Sequence, residues 1–187
     1  KIGSESFLLF IGRLEKEKGL EFLLRTFKSI TNQDENLKLV VVGGGTLERD
    51  LIRTRMELKL RKKVHILGKI HEDQLRHLIQ TAEALILPSQ FEIMPTVILE
   101  AWASECPVIV NNYYGVQALI HHKETGLVFQ RSKTDQLTSL VNELRTKKDL
   151  RQKLIQNSKM QLRSHYVTIR VVEKIVKMYY NLLNRCN

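Results

Sequence analysis

Residues 85–110 read LILPSQFEIMPTVILEAWASECPVIV, and their punctuation sets out a strand, a loop, a helix and a second strand. The apolar run Ala84 to Leu87 is stopped by Pro88. Pro95 suits the first position of a helix, where its missing N–H has no intrahelical partner to lose. The helix is expected to run to about Glu105, ahead of Pro107, with Ile98, Ala101 and Trp102 at i, i+3, i+4 as its apolar stripe. Glu100 and Ser104 fall on a more polar stripe, and Glu92 stands in the loop before the helix.

Outward from this stretch the same unit recurs. Phe7 to Ile11 is an unbroken apolar run closed by Gly12-Arg13, followed by Leu20, Leu23, Leu24 and Phe27 at helical spacing. Leu37 to Val42 ends in Gly43-Gly44-Gly45, and a helix is expected from Thr46, whose hydroxyl suits an N-terminus. Val64 to Gly68 precedes a helix over Glu72 to Ala82; Val108 to Val110 precedes a short turn near Gln117 to Ile120; Gly126 to Phe129 precedes a helix from Thr134. Helical periodicity then continues over Leu137 to Leu144, Leu150 to Leu162 and Val171 to Leu182. Alternating strands and helices predict an α/β fold: a Rossmann-like parallel sheet of about six strands, in the order 3-2-1-4-5-6, with helices on both faces and a helical C-terminal segment.

With 187 residues, 43% of them hydrophobic, one well-buried domain spanning 1–187 is expected. No apolar run reaches bilayer length and the first residues lack signal-peptide architecture, so a cytoplasmic location is expected. Cys106 and Cys186 lie far apart without metal-ligand spacing and read as free thiols. A net charge of +10 and a pI near 9.7 require an anionic partner or a solvated face. The densest basic run comprises Arg53, Arg55, Lys59, Arg61, Lys62, Lys63 and Lys69. Aromatics make up only 6% and do not interleave with it, which ranks nucleic acid low and leaves peripheral attachment to an anionic membrane surface as the alternative to a solvated face.

A loop that follows a parallel strand and opens into a helix presents backbone N–H groups, here those of Thr96 and Val97, with the positive end of the helix dipole behind them. Carboxylates beside such an anion site accept hydroxyls rather than phosphate oxygens. A ligand with phosphate in its middle and hydroxyls on both sides, a sugar nucleotide, fits. In the expected strand order the first strand lies beside the fourth, which sets Gly12-Arg13 opposite Ser89 to Pro95 and brings Arg13 and Lys18 towards the helix terminus. A dinucleotide fingerprint would need a further glycine where Glu48 stands, so the NAD reading fails and the triple glycine reads as a structural turn. None of His65, His71, His77, His121, His122 and His165 stands at a ligand or nucleophile spacing.

Pro88-Ser89, Glu92 and Glu100 with seven residues between them, Glu100-Ala101-x-Ala103, Pro107-Val108-Ile109 and Gly12-Arg13-Leu14-x3-Lys18-Gly19 resemble retaining glycosyltransferase family 4, the glycosyl transferases group 1, of GT-B architecture. That resemblance extends from Phe7 to the final helix, where His165-Tyr166 and Tyr179-Tyr180 are similar to the family's closing segment. It implies that this chain is the C-terminal, donor-binding half, its N-terminal acceptor domain absent, and that the half alone is inactive. It further implies that Arg13 and Lys18 after Gly12 meet the donor diphosphate, together with the segment Met94, Pro95, Thr96 and Val97. Glu92 meets the transferred sugar, Glu100 the ribose, and Gly68, Lys69 and Ile70 the base. A nucleoside diphosphate sugar is then the substrate, with no cofactor or metal required.

Three positions depart from the family pattern. Ile93 stands where glycine follows the first glutamate, and a β-branched residue restricts the backbone there. Glu105 takes the usual glycine position of the helix C-cap, where a left-handed non-glycine residue costs roughly 1 kcal/mol and an acid faces the negative end of the dipole. Ala118 replaces the glutamate that often follows the Gly-Gly turn. Two functions of different class remain: a hexosyltransferase half that takes a UDP- or GDP-sugar for cell-envelope glycan, lipopolysaccharide or glycolipid synthesis, and a non-catalytic nucleotide- or partner-binding module that has kept the fold.

Overall fold

Six short apolar runs become six parallel strands, in a computed structural model that describes residues 5–92 and 95–166. They are β1 (Phe7–Ile11), β2 (Lys38–Val42), β3 (Val64–Ile66), β4 (Ala84–Leu87), β5 (Val108–Asn111) and β6 (Leu127–Phe129). Their order is β3-β2-β1-β4-β5-β6, as the sequence predicts. The helices are α1 (Leu20–Gln33), α2 (Glu48–Glu57), α3 (Glu72–Thr81), α4 (Thr96–Ala103), α5 (Thr134–Thr146) and α6 (Lys148–His165). The third C-terminal helix expected over Val171 to Leu182, and Cys186, lie outside the described residues.

Strand alternation divides the core in two, because successive side chains leave opposite faces of a sheet. Leu8, Phe10, Leu39, Val41, Ile86 and Ile109 point to the side covered by α1, α2 and α5, where they meet Leu23, Phe27, Leu51 and Val141. Leu9, Val40, Val42, Leu85, Leu87, Val108 and Val110 point to the other, against Ile79 of α3 and Ile98, Ala101 and Trp102 of α4. Both faces of every central strand are buried, which is why these strands read as continuous apolar runs. Helix α6 joins the layers: Leu154 packs into the first cluster, while Leu162 and Tyr166 pack against the second.

Element boundaries differ from expectation where side chains found other partners. Thr46 does not cap α2; its hydroxyl and N–H donate to the Glu15 carboxylate on the neighbouring loop, and α2 begins at Glu48. Pro95 is the residue before α4 rather than its first residue, and α4 ends at Ala103. Glu105 does adopt the left-handed conformation, with φ of 58°. The expected repulsion with the dipole is answered by Lys159 of α6, which bonds the Glu105 carboxylate and holds its pKa below the ordinary value.

The carboxyl of Asp34, just past α1, accepts a hydrogen bond from Arg145 of α5 and another from the Asn36 N–H. These hold its pKa below the usual carboxylate range, the Arg145 bond contributing most. A depressed carboxyl pKa stabilises the fold above the unfolded value and loses that contribution as pH falls through the folded one. Asp34→Asn is therefore expected to lower stability at neutral pH, with the deficit shrinking below about pH 4. Urea denaturation of both proteins at a series of pH values checks this; a deficit unchanged down to pH 3 would contradict it.

Candidate functional site

At the carboxyl edge of the sheet the strand ladder stops, and loop hydrogen bonds continue it from one side of the sheet to the other. Gly43 N–H donates to Gly68 O at 2.8 Å, Gly12 N–H to Val42 O at 3.0 Å and Leu14 N–H to Gly44 O at 3.0 Å, tying the ends of β3, β2 and β1. Gln90 N–H donates to Glu17 O at 2.8 Å across the β1–β4 switch point. Asn111, at the end of β5, donates through Nδ2 to Ser89 O at 2.8 Å, and its Oδ1 accepts from Arg131 N–H beyond β6 at 3.2 Å.

Two glycines permit this closeness. A Cβ on Gly43, whose φ is 134°, would lie 1.9 Å from Gly12 O, so the triple-glycine turn has the structural role the sequence suggests. Gly19, at φ 71°, starts α1, and a Cβ there would fall 2.4 Å from Pro88 O. The loop carrying Arg13 and Lys18 is thereby pressed on to the loop carrying Ser89 and Glu92. The Lys69 stem lies over Gly44 and Gly68 O accepts from Gly43 N–H, so Gly68 and Lys69 border the same edge, while Ile70 packs against the second core cluster.

Glu92 sits at the centre of this contact. Its Oε1 accepts from Lys18 Nζ at 2.5 Å and from Ser89 Oγ at 2.8 Å. The pair is largely withdrawn from solvent, with side-chain exposures of 12% for Lys18 and 16% for Glu92. Lys18 thus reaches the loop ahead of α4, as expected. Arg13 does not: its side chain is 71% exposed and is held by Glu17 at 3.2 Å. No side chain among the described residues caps α4, whose Ile98 N–H bonds Pro95 O; Thr96 is exposed and Val97 half-buried at its entrance. Ile93 and Met94 lie outside the described residues.

The two glutamates face different flanks of α4. Glu100 is exposed and borders a groove shared with Glu72, Arg76 and Ile79 of α3. Glu92 borders a recess of about 160 Å³ lined also by Pro95, Leu99, Tyr113, Val116 and Ala118. Ala118 lies on the 3₁₀ turn Val116–Ala118 and lines this recess. Tyr113 is buried, its hydroxyl without a partner among the described residues. Burial first, then the Glu92 charge, pushes its pKa up to about 12, so it stays a neutral phenol. The described residues contain no cluster of His, Cys, Asp and Glu that could hold a metal ion. Cys106 is a buried free thiol, raised to about 12 mainly by burial.

Known proteins share this architecture. The family model for glycosyl transferases group 1 matches residues 1–161, and the chain belongs to that family. An uncharacterized glycosyltransferase of Methanocaldococcus jannaschii is 30% identical over 175 residues, which cover 94% of this chain and 45% of that protein. The alpha-D-kanosaminyltransferase of Streptomyces kanamyceticus is 28% identical over 151 residues, 81% of this chain and 39% of that protein. The chain therefore spans about half the length of these curated relatives or less. Among solved structures, the C-terminal domain of a glycosyl transferase group 1 family protein from Francisella tularensis matches with a TM-score of 0.78 at 21% identity, covering 87% of each chain. An Anabaena protein crystallised with UDP and glucose matches at 0.85 and 16% identity, over 96% of this chain and 49% of that one. These two likenesses are of fold.

Sequence reading missed Asn111 and Tyr113. Asn111 carried a signal, a polar residue ending an otherwise apolar strand, whereas nothing in the sequence sets the Tyr113 hydroxyl apart. Because that hydroxyl is buried without a partner, Tyr113→Phe is expected to leave stability unchanged or raise it by up to about 1 kcal/mol. Chemical denaturation measures this, and a loss above about 1 kcal/mol would mean that the hydroxyl is satisfied in solution.

Proposed function

We propose that this chain is the donor-binding half of a retaining glycosyltransferase that moves a sugar, in the first instance a hexose, from a UDP- or GDP-sugar to an acceptor hydroxyl. Cell-envelope glycan, lipopolysaccharide or glycolipid synthesis is the setting we favour, at a cytoplasmic location. The carrying observation is the Lys18–Glu92–Ser89 junction, where a cation, a carboxylate and the entrance of α4 meet at the β1–β4 switch point. A cation and a helix N-terminus suit a diphosphate, and a carboxylate next to them suits a sugar hydroxyl.

The chemistry is then electrostatic and needs no metal. Lys18 and the N–H groups of Thr96 and Val97 face the charge that develops on the departing diphosphate. Arg13, now held by Glu17, joins them by a rotation of its exposed side chain after Gly12, which exchanges one carboxylate for two phosphates. Glu92 orients the sugar. Glu100 takes the ribose on the α3 flank, Gly68, Lys69 and Ile70 meet the base, and Met94 and Pro95 complete the loop around the phosphates. The acceptor side of the cleft would come from an N-terminal domain, in keeping with the share of its relatives that this chain spans.

Nucleoside diphosphates, UDP or GDP, are expected to raise the thermal midpoint of the domain, with UMP and GMP doing so much less, because the second phosphate carries the Lys18 and helix contacts. Equal shifts would remove the site assignment. Calorimetry refines it: Glu100→Ala is expected to weaken the free diphosphate and the sugar nucleotide alike, by about 1.5 to 3 kcal/mol, whereas Glu92→Ala leaves the free diphosphate nearly unchanged or slightly tighter, since it removes a negative charge near the diphosphate. If neither substitution matters, the second function, a non-catalytic module, becomes the better account; the recess left by Ala118 beside Glu92 is the feature that favours it.

The basic run favours peripheral attachment to an anionic membrane over nucleic acid. Arg49, Arg53, Lys59, Arg61 and Lys62 are all exposed along α2 and the turn after it, beside exposed Ile52 and Met56. Each such cation near an anionic surface contributes about 1 kcal/mol. Sedimentation with phosphatidylserine vesicles is expected at low salt and lost with neutral vesicles; equal recovery in both returns these charges to the role of a solvated face.

A further inference from the structure

Glu92 carries two donors on one oxygen, and they differ in what they can do when a diphosphate arrives. Lys18 holds a mobile cation at the end of a long stem, and phosphate oxygens compete directly with Glu92 for it. Ser89 cannot follow. It is fully buried, its hydroxyl donates to Glu92 Oε1 at 2.8 Å, and its carbonyl is held by Asn111 Nδ2 at 2.8 Å. Asn111 is itself buried and fixed through Oδ1 by the Arg131 N–H, so the support behind Ser89 runs across the ends of three strands.

A carboxylate that loses this cation is free to turn towards solvent or to follow the lysine, since glutamate has three rotatable side-chain bonds. A hydroxyl donor anchored in the sheet prevents both, because a hydrogen bond to a charged acceptor is among the stronger kinds. We propose that Ser89 is the positioning residue of the sugar subsite: it keeps Glu92 in place once the diphosphate has taken Lys18, and turns the carboxylate's other oxygen to the transferred sugar. This rests on the nucleotide-sugar function above and adds to it a division of labour. Lys18 changes partner on binding, and Ser89 does not.

The test is calorimetric titration of the 187-residue chain with UDP, UDP-glucose, UDP-N-acetylglucosamine, GDP and GDP-mannose. The unsubstituted chain is expected to bind one sugar nucleotide more tightly than its parent diphosphate. Ser89→Ala should hold the parent diphosphate within about twofold while cutting the gain from the sugar by roughly five- to tenfold. Ser89→Cys, which keeps the shape with a much weaker donor, should do the same, and Ser89→Thr, which keeps the hydroxyl, should retain more of the gain. In a Glu92→Ala background, Ser89→Ala should have no further effect on the sugar preference, which a purely structural role for Ser89 would not produce. Equal losses for diphosphate and sugar nucleotide, a persisting effect without Glu92, or no gain from any sugar in the unsubstituted chain overturns the role of Ser89. Failure of the unsubstituted chain to bind any of the five ligands overturns it together with the nucleotide-sugar function.

Discussion

A parallel sheet ends all its strands at one edge, and the backbone groups there must find partners outside the ladder or meet water. In this chain they find each other. From Gly68 through Gly43, Gly12, Glu17 and Gln90 to Ser89, Asn111 and Arg131, loop hydrogen bonds carry the sheet's lateral order beyond the last paired residues. The candidate site depends on this, because every group assigned to it rides on one of these loops or on the helix that follows.

Close approach of that kind constrains residue choice more than charge does. The β1 and β2 loops meet backbone to backbone at Gly43, and the β1 and β4 loops do so at Gly19, so a side chain at Gly43 would part the first two loops and one at Gly19 would push the cationic and anionic halves of the site apart. Glycine here is a statement about distance. The consequence for electrostatics is direct: Lys18 and Glu92 sit far enough from solvent that each is the other's principal compensation. Neither can be removed from the other without a replacement partner, a charge or a set of hydrogen bonds. A diphosphate is such a replacement for Lys18, and a hydrogen-bonded polar pocket is the corresponding one for Glu92.

The fold was legible because both faces of the sheet are covered. Strands buried on two sides appear as runs such as Phe7 to Ile11 and Ala84 to Leu87, which no surface pattern dilutes, and the strand order follows once right-handed βαβ units are assumed. Element ends were less legible. Thr46 looks like a helix cap until Glu15, 31 residues away in sequence, is brought beside it. The site shows the same division. Lys18 and Glu92 were placed by motif and topology, but Arg13 took a local partner, Glu17 four residues on, instead of reaching across the switch point, which strand order does not decide. Ser89 and Asn111 were visible as residues and not as a pair, since their bond joins a carbonyl to a side chain across two strands.

The two described departures from the family pattern weigh differently once their surroundings are known. Glu105 accepts a left-handed backbone without glycine, but Lys159 of α6 supplies the positive charge that the helix end and the acid both call for. That bridge also fastens α6 beside α4, so the substitution strengthens a contact while straining a residue. Ala118 has no such compensation among the described residues: a small side chain borders a recess in which Tyr113 keeps a hydroxyl without a partner and Glu92 exposes one flank. Glu92 is the acid that lines that recess. Glu92 is anchored beside it by Ser89 and Lys18, so its position does not depend on the residue at 118.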